Sequence, residues 1–125
     1  MEILLNLLTE KIIKQVCPSI KSWSIVLDVT STKNWPSKAM LEFVKDDVLV
    51  IPTHPMFGPF ISTIAWQIII LTPDDKTKSD KRYKVIKEFL ENENSKIYEV
   101  TPIEHDKMMA IIQWLTHYNM FVLWE

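Results

Sequence analysis

Hydrophobic and polar residues follow one another along this chain with two different periods. Apolar residues at helical spacing, such as Ile12, Ile13 and Val16, predict amphipathic helices. Short apolar, β-branched runs, such as residues 48–51, predict buried strands. The predicted helices cover residues 9–17, 36–44, 80–91 and 102 onward, and the predicted strands cover residues 23–29, 48–51, 67–71 and 96–100.

Polar residues and prolines mark the expected ends of these elements. Thr9 is the predicted N-cap of the first helix, and Pro18 is predicted to end it. Residues 52–64 hold three prolines and the only glycine, which predicts a long loop of the kind that is often functional. Residues 74–79 are predicted to form a polar turn.

The clearest local signal is the run Thr101-Pro102-Ile103-Glu104. Threonine at the N-cap, proline at the first helical position and glutamate at the third make a capping box. The helix that begins here is predicted to continue to the end of the chain. The alternation of strands and helices before it predicts an α/β fold, with helices packed on a mostly parallel sheet.

Chemically active side chains follow two of the predicted strands. The run 25–27 leads into Asp28-Val29-Thr30-Ser31-Thr32-Lys33, and the run 48–51 precedes His54-Pro55-Met56-Phe57-Gly58-Pro59. In an open α/β sheet the carboxyl ends of the strands border the ligand crevice. We therefore expect a hydroxyl, an amine and an imidazole at neighbouring strand ends.

These two runs resemble the D-x-x-S-x-K and H-P-M-F-G segments of the prephenate/arogenate dehydrogenase family of tyrosine biosynthesis. Residues 67–73 resemble the next strand of that family, and residues 104–117 resemble its E-H-D-x-x-M-x-x-I-Q-x-L-x-H helix. The resemblance implies the C-terminal portion of a Rossmann-like nucleotide-binding domain over residues 1–100. Residues 101–125 would then be the first helix of a helical dimerisation domain.

The resemblance also implies an activity, the NAD(P)-dependent oxidative decarboxylation of prephenate to 4-hydroxyphenylpyruvate. In that reaction a hydride leaves C4 of prephenate while its hydroxyl loses a proton and CO2 departs. His54 would accept the proton or polarise the hydroxyl, and Ser31 would be its partner there. The implied contacts are Thr9, Thr30 and Ser31 for NAD or NADP, and Lys33, Gln113 and His117 for prephenate or arogenate.

Each of these residues also has a structural interpretation. His54 can cap backbone groups near Pro55, although the M-F-G run after it favours proton transfer. Ser31 can bond to the turn backbone, and Lys33 can be solvated, the interpretation that we favour for the lysine. Asp28 is expected to order the turn rather than to react.

The last helix and the tryptophans leave similar alternatives. His105, Met109, Gln113 and His117 lie on adjoining stripes of the last helix, which face either the crevice or another helix. Four of the five tryptophans, Trp35, Trp66, Trp114 and Trp124, are expected to be packing anchors rather than a binding cage.

Size and composition narrow the classes of function. A chain of 125 residues fits one domain, and a net charge of -2 gives no basic surface for nucleic acid. The lone Cys17 suits a reducing compartment, and the first residues resemble neither a signal peptide nor a membrane span, so we expect a cytoplasmic protein. Cysteine and histidine have no metal-ligand spacing, so no metal is expected.

Two missing features bear on activity. Gly58 is the only glycine, so no G-x-G-x-x-G phosphate cradle exists in these residues. Arg82 is the only arginine and lies far from the motifs, whereas the family clamps a substrate carboxylate with arginine. Residues 4–9 only loosely resemble the family's V-P-x-x-x-T strand end. The chain therefore resembles a truncated member.

Two hypotheses follow from this comparison. In the first, the chain carries family chemistry within a longer product or a complex and is inactive alone. In the second, it is a non-catalytic remnant or an association module. The last helix is apolar on more than one face, which predicts a homo-oligomer under either hypothesis.

Overall fold

Four strands form a single sheet in which spatial order follows chain order. The computed structural model describes the backbone of residues 2–123 and the side chains of residues 9–116, 118, 119 and 122. The strands are β1 (Ile25–Asp28), β2 (Leu49–Pro55), β3 (Ile68–Leu71) and β4 (Lys96–Glu99). β1 pairs in parallel with β2, and β3 with β4, while β2 and β3 are antiparallel. The predicted α/β fold with a mostly parallel sheet is confirmed.

Helices precede β1, connect β1 to β2 and β3 to β4, and follow β4, whereas β2 and β3 are joined without a helix in the described backbone. The helices are α1 (Glu2–Val16), which continues into a 3-10 turn at Cys17–Ser19, α2 (Asn34–Phe43), α3 (Asp75–Ser79), α4 (Lys81–Asn92) and α5 (Pro102–Leu123). No helix within residues 2–123 combines the length and apolarity needed to cross a bilayer.

The pleat of β2 gives the sheet an apolar core on each side. Val50 packs with residues of α1 and α2, including Ile13 and Met40. Leu49 and Ile51 point the other way, because successive strand residues alternate in direction, and they pack with Tyr83 of α4. β2 is therefore the buried centre of the fold.

Three predicted boundaries are wrong. Thr9 is not an N-cap, because α1 already begins at Glu2. The predicted loop at 52–64 begins later, since residues 53–55 pair with β3. The predicted polar turn at 74–79 contains the short helix α3, whose first turn is capped by Asp74, which accepts a hydrogen bond from Thr77 N at 2.7 Å.

The predicted capping box is confirmed at the start of α5. Glu104 Oε2 accepts from Thr101 N at 3.0 Å, and Thr101 Oγ1 accepts from Glu104 N at 3.2 Å. The early part of the helix packs against α2, and both His105 and Met109 are buried. Beyond Met109 the described apolar side chains of α5 are exposed. They are Ile111, Ile112, Trp114, Leu115, Tyr118 and Val122.

The tryptophans do not act as packing anchors within the described part of the chain. Trp66 is 73% exposed and Trp114 is 64% exposed, and Trp35 also lies on the surface. Trp114 stacks only on Tyr118 of the same helix, with the ring centroids 5.4 Å apart. Trp124 lies outside the described residues.

Candidate functional site

The loop after β1 is held by a buried ion pair. Lys33 Nζ lies 2.5 Å from Asp28 Oδ2 and 3.1 Å from Thr30 Oγ1. Asp28 Oδ1 accepts from Thr30 N at 2.8 Å, and the Thr30 hydroxyl is 2.5 Å from the same oxygen. Because Lys33 is completely buried, the solvated interpretation of this lysine is wrong. Burial lowers the pKa of Lys33, and the charge of Asp28 opposes that shift.

Asp28 orders the turn, as predicted, and this arrangement leaves one hydroxyl unused. Ser31 lies at the exposed crest of the loop, and its side chain has no hydrogen-bond partner among the described residues. The hydroxyl of Thr30, by contrast, is held by Asp28 and Lys33 and also lies 2.8 Å from the Thr32 carbonyl oxygen. Of the two, Ser31 is therefore the hydroxyl available to a ligand.

His54 belongs to β2 and not to a loop. The pleat places it on the same side of the sheet as Val50, toward α2 and α5, and only 9% of it is exposed. Thr53, on the other side, donates its hydroxyl proton to the carbonyl oxygen of Asp28, which ties β2 to the loop after β1. His54 was also considered as a cap for backbone groups near Pro55, but its imidazole instead bonds to another side chain.

That side chain is His105 of α5, which completes a hydrogen-bonded series. His54 Nδ1 lies 2.9 Å from His105 Nε2, and His105 Nδ1 lies 2.8 Å from Asp106 Oδ1. The two rings meet edge to face, with centroids 5.0 Å apart and an angle of 70° between planes. In the part of the chain that the structure describes, these groups are not arranged to hold a metal ion.

Asp106 also joins α5 to the beginning of α2. Its Oδ1 accepts from Lys33 N at 2.8 Å, and its Oδ2 accepts from Asn34 N at 2.9 Å. These amides open α2, whose N-cap residue Lys33 supplies no side-chain cap of its own. One carboxylate therefore caps a helix and holds an imidazole.

The electrostatics of the site follow from burial and from these neighbours. Burial first, and then the charges of His105 and Lys33, lower the pKa of His54 from 6.5 to about 4, against the opposing influence of Asp28 and Asp106. Burial alone would raise the pKa of Asp106, but the hydrogen bonds from His105 and from the amides of Asn34 and Lys33 lower it. At neutral pH the site therefore holds a neutral His54 and an ionised Asp106.

The other predicted site residues lie elsewhere. Thr9 lies in the middle of α1 rather than at a strand end. Gln113 is exposed on α5, eight residues and thus about 12 Å beyond His105 along the helix. The side chain of His117 lies outside the described residues. Arg82 donates to the Asp47 carbonyl oxygen at 3.0 Å, near the amino end of β2, which places it at the opposite end of the strand from His54.

The sequence prediction placed His105 on a helix stripe that faces either the crevice or another helix, but it gave neither His105 nor Asp106 a role in the reaction. The H-D pair lies just inside the capping box, which fixes it in the first turns of a helix. That local signal places the pair on α5, but it does not identify His54 as the partner, since the two histidines are 51 positions apart.

Comparison with known proteins gives a consistent set of relatives. Residues 7–99 match a family model described as the nucleotide-binding domain of prephenate dehydrogenase. The chain is 44% identical over 115 residues to a probable arogenate/prephenate dehydrogenase of Methanocaldococcus jannaschii, covering 92% of this chain and 26% of that protein. It is 32% identical over 114 residues to a T-protein of Enterobacter agglomerans, covering 91% of this chain and 29% of that protein.

A solved structure supports the same fold. It is a prephenate dehydrogenase from Aquifex aeolicus in complex with hydroxyphenyl propionate and NAD+, with a TM-score of 0.70 and 23% identity. The match covers 91% of this chain and 42% of that one. The chain thus spans between a quarter and a third of the length of the Methanocaldococcus and Enterobacter relatives.

Proposed function

We propose that this chain, which belongs to the prephenate dehydrogenase family, supplies the proton acceptor for an oxidative decarboxylation. The proposed reaction is NAD- or NADP-dependent and acts on prephenate or arogenate. The observation that carries this proposal is the neutral imidazole of His54 at the end of β2. Its Nδ1 is taken by His105, while Nε2 makes no hydrogen bond to the described residues. A positioned imidazole with one free nitrogen is a suitable general base.

The proton transfer can be written for prephenate. If an oxidised nicotinamide accepted the hydride from C4, the proton of the C4 hydroxyl would move to Nε2 of His54, and the C4–O bond would become a carbonyl. Loss of the ring carboxylate as CO2 then makes the ring aromatic, and the oxygen takes a proton back to give the phenol. Ser31 is suited to hydrogen-bond the same oxygen, because its hydroxyl is exposed beyond β1 at the end of the sheet where His54 lies.

The described residues fit only part of a nicotinamide nucleotide. Ser31 and Thr30 follow a parallel strand, where open α/β sheets bind ligands. A pyrophosphate requires a glycine turn, and nothing lies within 4 Å of a Cβ placed on Gly58, so this glycine serves no close backbone approach. The phosphates therefore do not fit the residues described, and Thr9 in the middle of α1 adds no phosphate cradle.

The structure bears differently on the three residues that were predicted to contact the substrate, Lys33, Gln113 and His117. The ammonium group of Lys33 is already bound by Asp28, so its proposed part is to hold the loop that carries Ser31. Gln113 is exposed and free to meet a ligand carried by other parts of an assembly. A contact from His117 stays a prediction.

The test uses a chimeric enzyme in which this chain replaces the matching 115-residue segment of the Methanocaldococcus relative. We expect His54→Asn in that chimera to lower kcat by about 10²-fold or more and to leave nucleotide affinity nearly unchanged, because loss of a general base acts on the transition state. Reduced-cofactor absorbance measures turnover with prephenate or arogenate.

The matched control is Lys84→Asn, an exposed position on α4 across the sheet from His54. It should leave kcat unchanged. Wild-type turnover in the His54→Asn chimera would remove His54 from the reaction. The 125-residue chain by itself is expected to give no measurable turnover with either cofactor, because it lacks the phosphate cradle.

A second candidate, an association module without catalysis, is favoured by one observation. The exposed apolar residues of α5 beyond Met109 form a surface suited to a second copy of the chain. A homo-oligomer is part of both candidates. The cytoplasm is the proposed compartment, supported by the lone, buried and reduced Cys17.

A further inference from the structure

The partners of the two rings limit where the proton of each imidazole can lie. Asp106 is an acceptor only, because hydrogen bonds hold it ionised, so His105 carries a proton on Nδ1. The one hydrogen between His54 Nδ1 and His105 Nε2 belongs either to His54 or to His105. When it belongs to His54, the Nε2 atom of His54 is unprotonated and can accept a proton.

We propose that His105 and Asp106 are positioning residues that hold His54 as the Nδ1–H tautomer, with Nε2 free to accept the substrate proton. This inference rests on the proposed function and deepens it. A base whose second nitrogen is held by a further group is the general pattern of activated imidazoles. Here the group that sets the tautomer is a second imidazole, which an aspartate sets in turn.

The contacts of Asp106 make this arrangement rigid. Its carboxylate is fixed by the Lys33 and Asn34 amides of α2 as well as by His105. His105 is fully buried, so water does not compete for either of its nitrogens. The same α2 amides adjoin the loop that carries Ser31, so one carboxylate sets both the tautomer of His54 and the position of the loop.

The arrangement also offers a place for the positive charge that forms during the reaction. When Nε2 of His54 accepts a proton, its Nδ1–H already points at His105 Nε2. Transfer of that second proton would give a protonated His105 in contact with the Asp106 carboxylate. The charge would then lie beside an anion rather than on His54, where the charge of Lys33 disfavours it.

The test reads the tautomers directly by long-range 1H–15N correlation spectra of the labelled 125-residue chain at pH 7. The chain has three histidines, so assignment by single substitution is direct. We expect His54 and His105 both to carry the proton on Nδ1, with shifts of an unprotonated nitrogen at Nε2. A wild-type His54 protonated on Nε2 would overturn the proposal without reference to any variant.

His105→Asn tests the link between the rings, because the asparagine amide can still reach Asp106 but not His54. We expect His54 to move toward the Nε2–H tautomer, and kcat of the chimeric enzyme to fall about 10–10²-fold with an altered pH profile and unchanged nucleotide KM. Lys107→Asn, an exposed neighbour on α5, is the matched control and should change neither. An unchanged His54 tautomer in folded His105→Asn would also overturn the proposal.

Asp106→Ala tests the far end of the series. We expect the Nδ1 proton of His105 to lose its hydrogen-bonded shift. The spectra and the kinetics test the two proposals independently. If the tautomers are as predicted but the His54→Asn chimera is active, the proposed function alone is refuted. An essential His54 with the opposite tautomer would refute the positioning role alone.

Discussion

Acidification from pH 7 to pH 5 should destabilise this protein through His54. The folded state holds the pKa of His54 at about 4, below the ordinary 6.5 that applies to the unfolded chain. Between these two values the unfolded state binds more protons than the folded state, so stability rises with pH. The contribution is complete above pH 6.5 and is lost progressively as the pH falls toward 4.

The size of the effect follows from the same two pKa values. The difference corresponds to about 3 kcal/mol in total, of which about 2 kcal/mol is lost between pH 7 and pH 5. His54 is 9% exposed, so solvent screens little of this contribution. Besides burial, the neighbours that contribute to the shift are His105, Lys33, Asp28 and Asp106.

Urea unfolding at the two pH values measures the loss, with His54→Asn as the comparison. The carboxyls with lowered pKa values, such as Asp106 and Glu104, lose their contribution at lower pH than this window. We therefore expect wild type to lose about 2 kcal/mol more than the variant. Equal losses in the two proteins would show that His54 is not held neutral by its surroundings.

Three further outcomes test other parts of the molecule. Lys33→Met should lower the free energy of unfolding by about 3 kcal/mol, because it leaves Asp28 buried without its cation. Adding Asp28→Asn should recover part of the loss, and a Lys33→Met variant as stable as wild type would contradict this. Thr101→Ala should lower the free energy of unfolding, measured in urea, by about 1 kcal/mol because it removes the cap of α5. An unchanged midpoint would mean that the capping box does not contribute to stability. Light scattering at micromolar concentration should show self-association through the apolar part of α5, and a clean monomer would refute this.

Features that depend on neighbouring residues could be predicted from the sequence. The capping box of α5 was predicted because Thr101 and Glu104 lie three residues apart and bond to each other. The strands were located from apolar runs, and the strand-end position of Asp28 and His54 followed from them. These signals need no knowledge of distant parts of the chain.

Features that depend on long-range contacts could not be predicted in this way. The extension of β2 through Pro55 comes from pairing with β3, although proline is rare in strands. Lys33 is buried with its ammonium group on Asp28, and its backbone amide binds Asp106 of α5, which lies 73 positions away. Because lysine is seldom buried in proteins, the sequence favoured a solvated Lys33, which is wrong.

The contact between Asp106 and the start of α2 has a consequence for the order in which the molecule folds. Lys33 and Asp106 are 73 positions apart, and His54 and His105 are 51 apart, whereas β1 pairs with the next strand along the chain. Contacts between distant positions close large loops and tend to form late. During synthesis the sheet can therefore assemble while α5 is still inside the ribosome, and His54 acquires its partner only when residues 105 and 106 emerge.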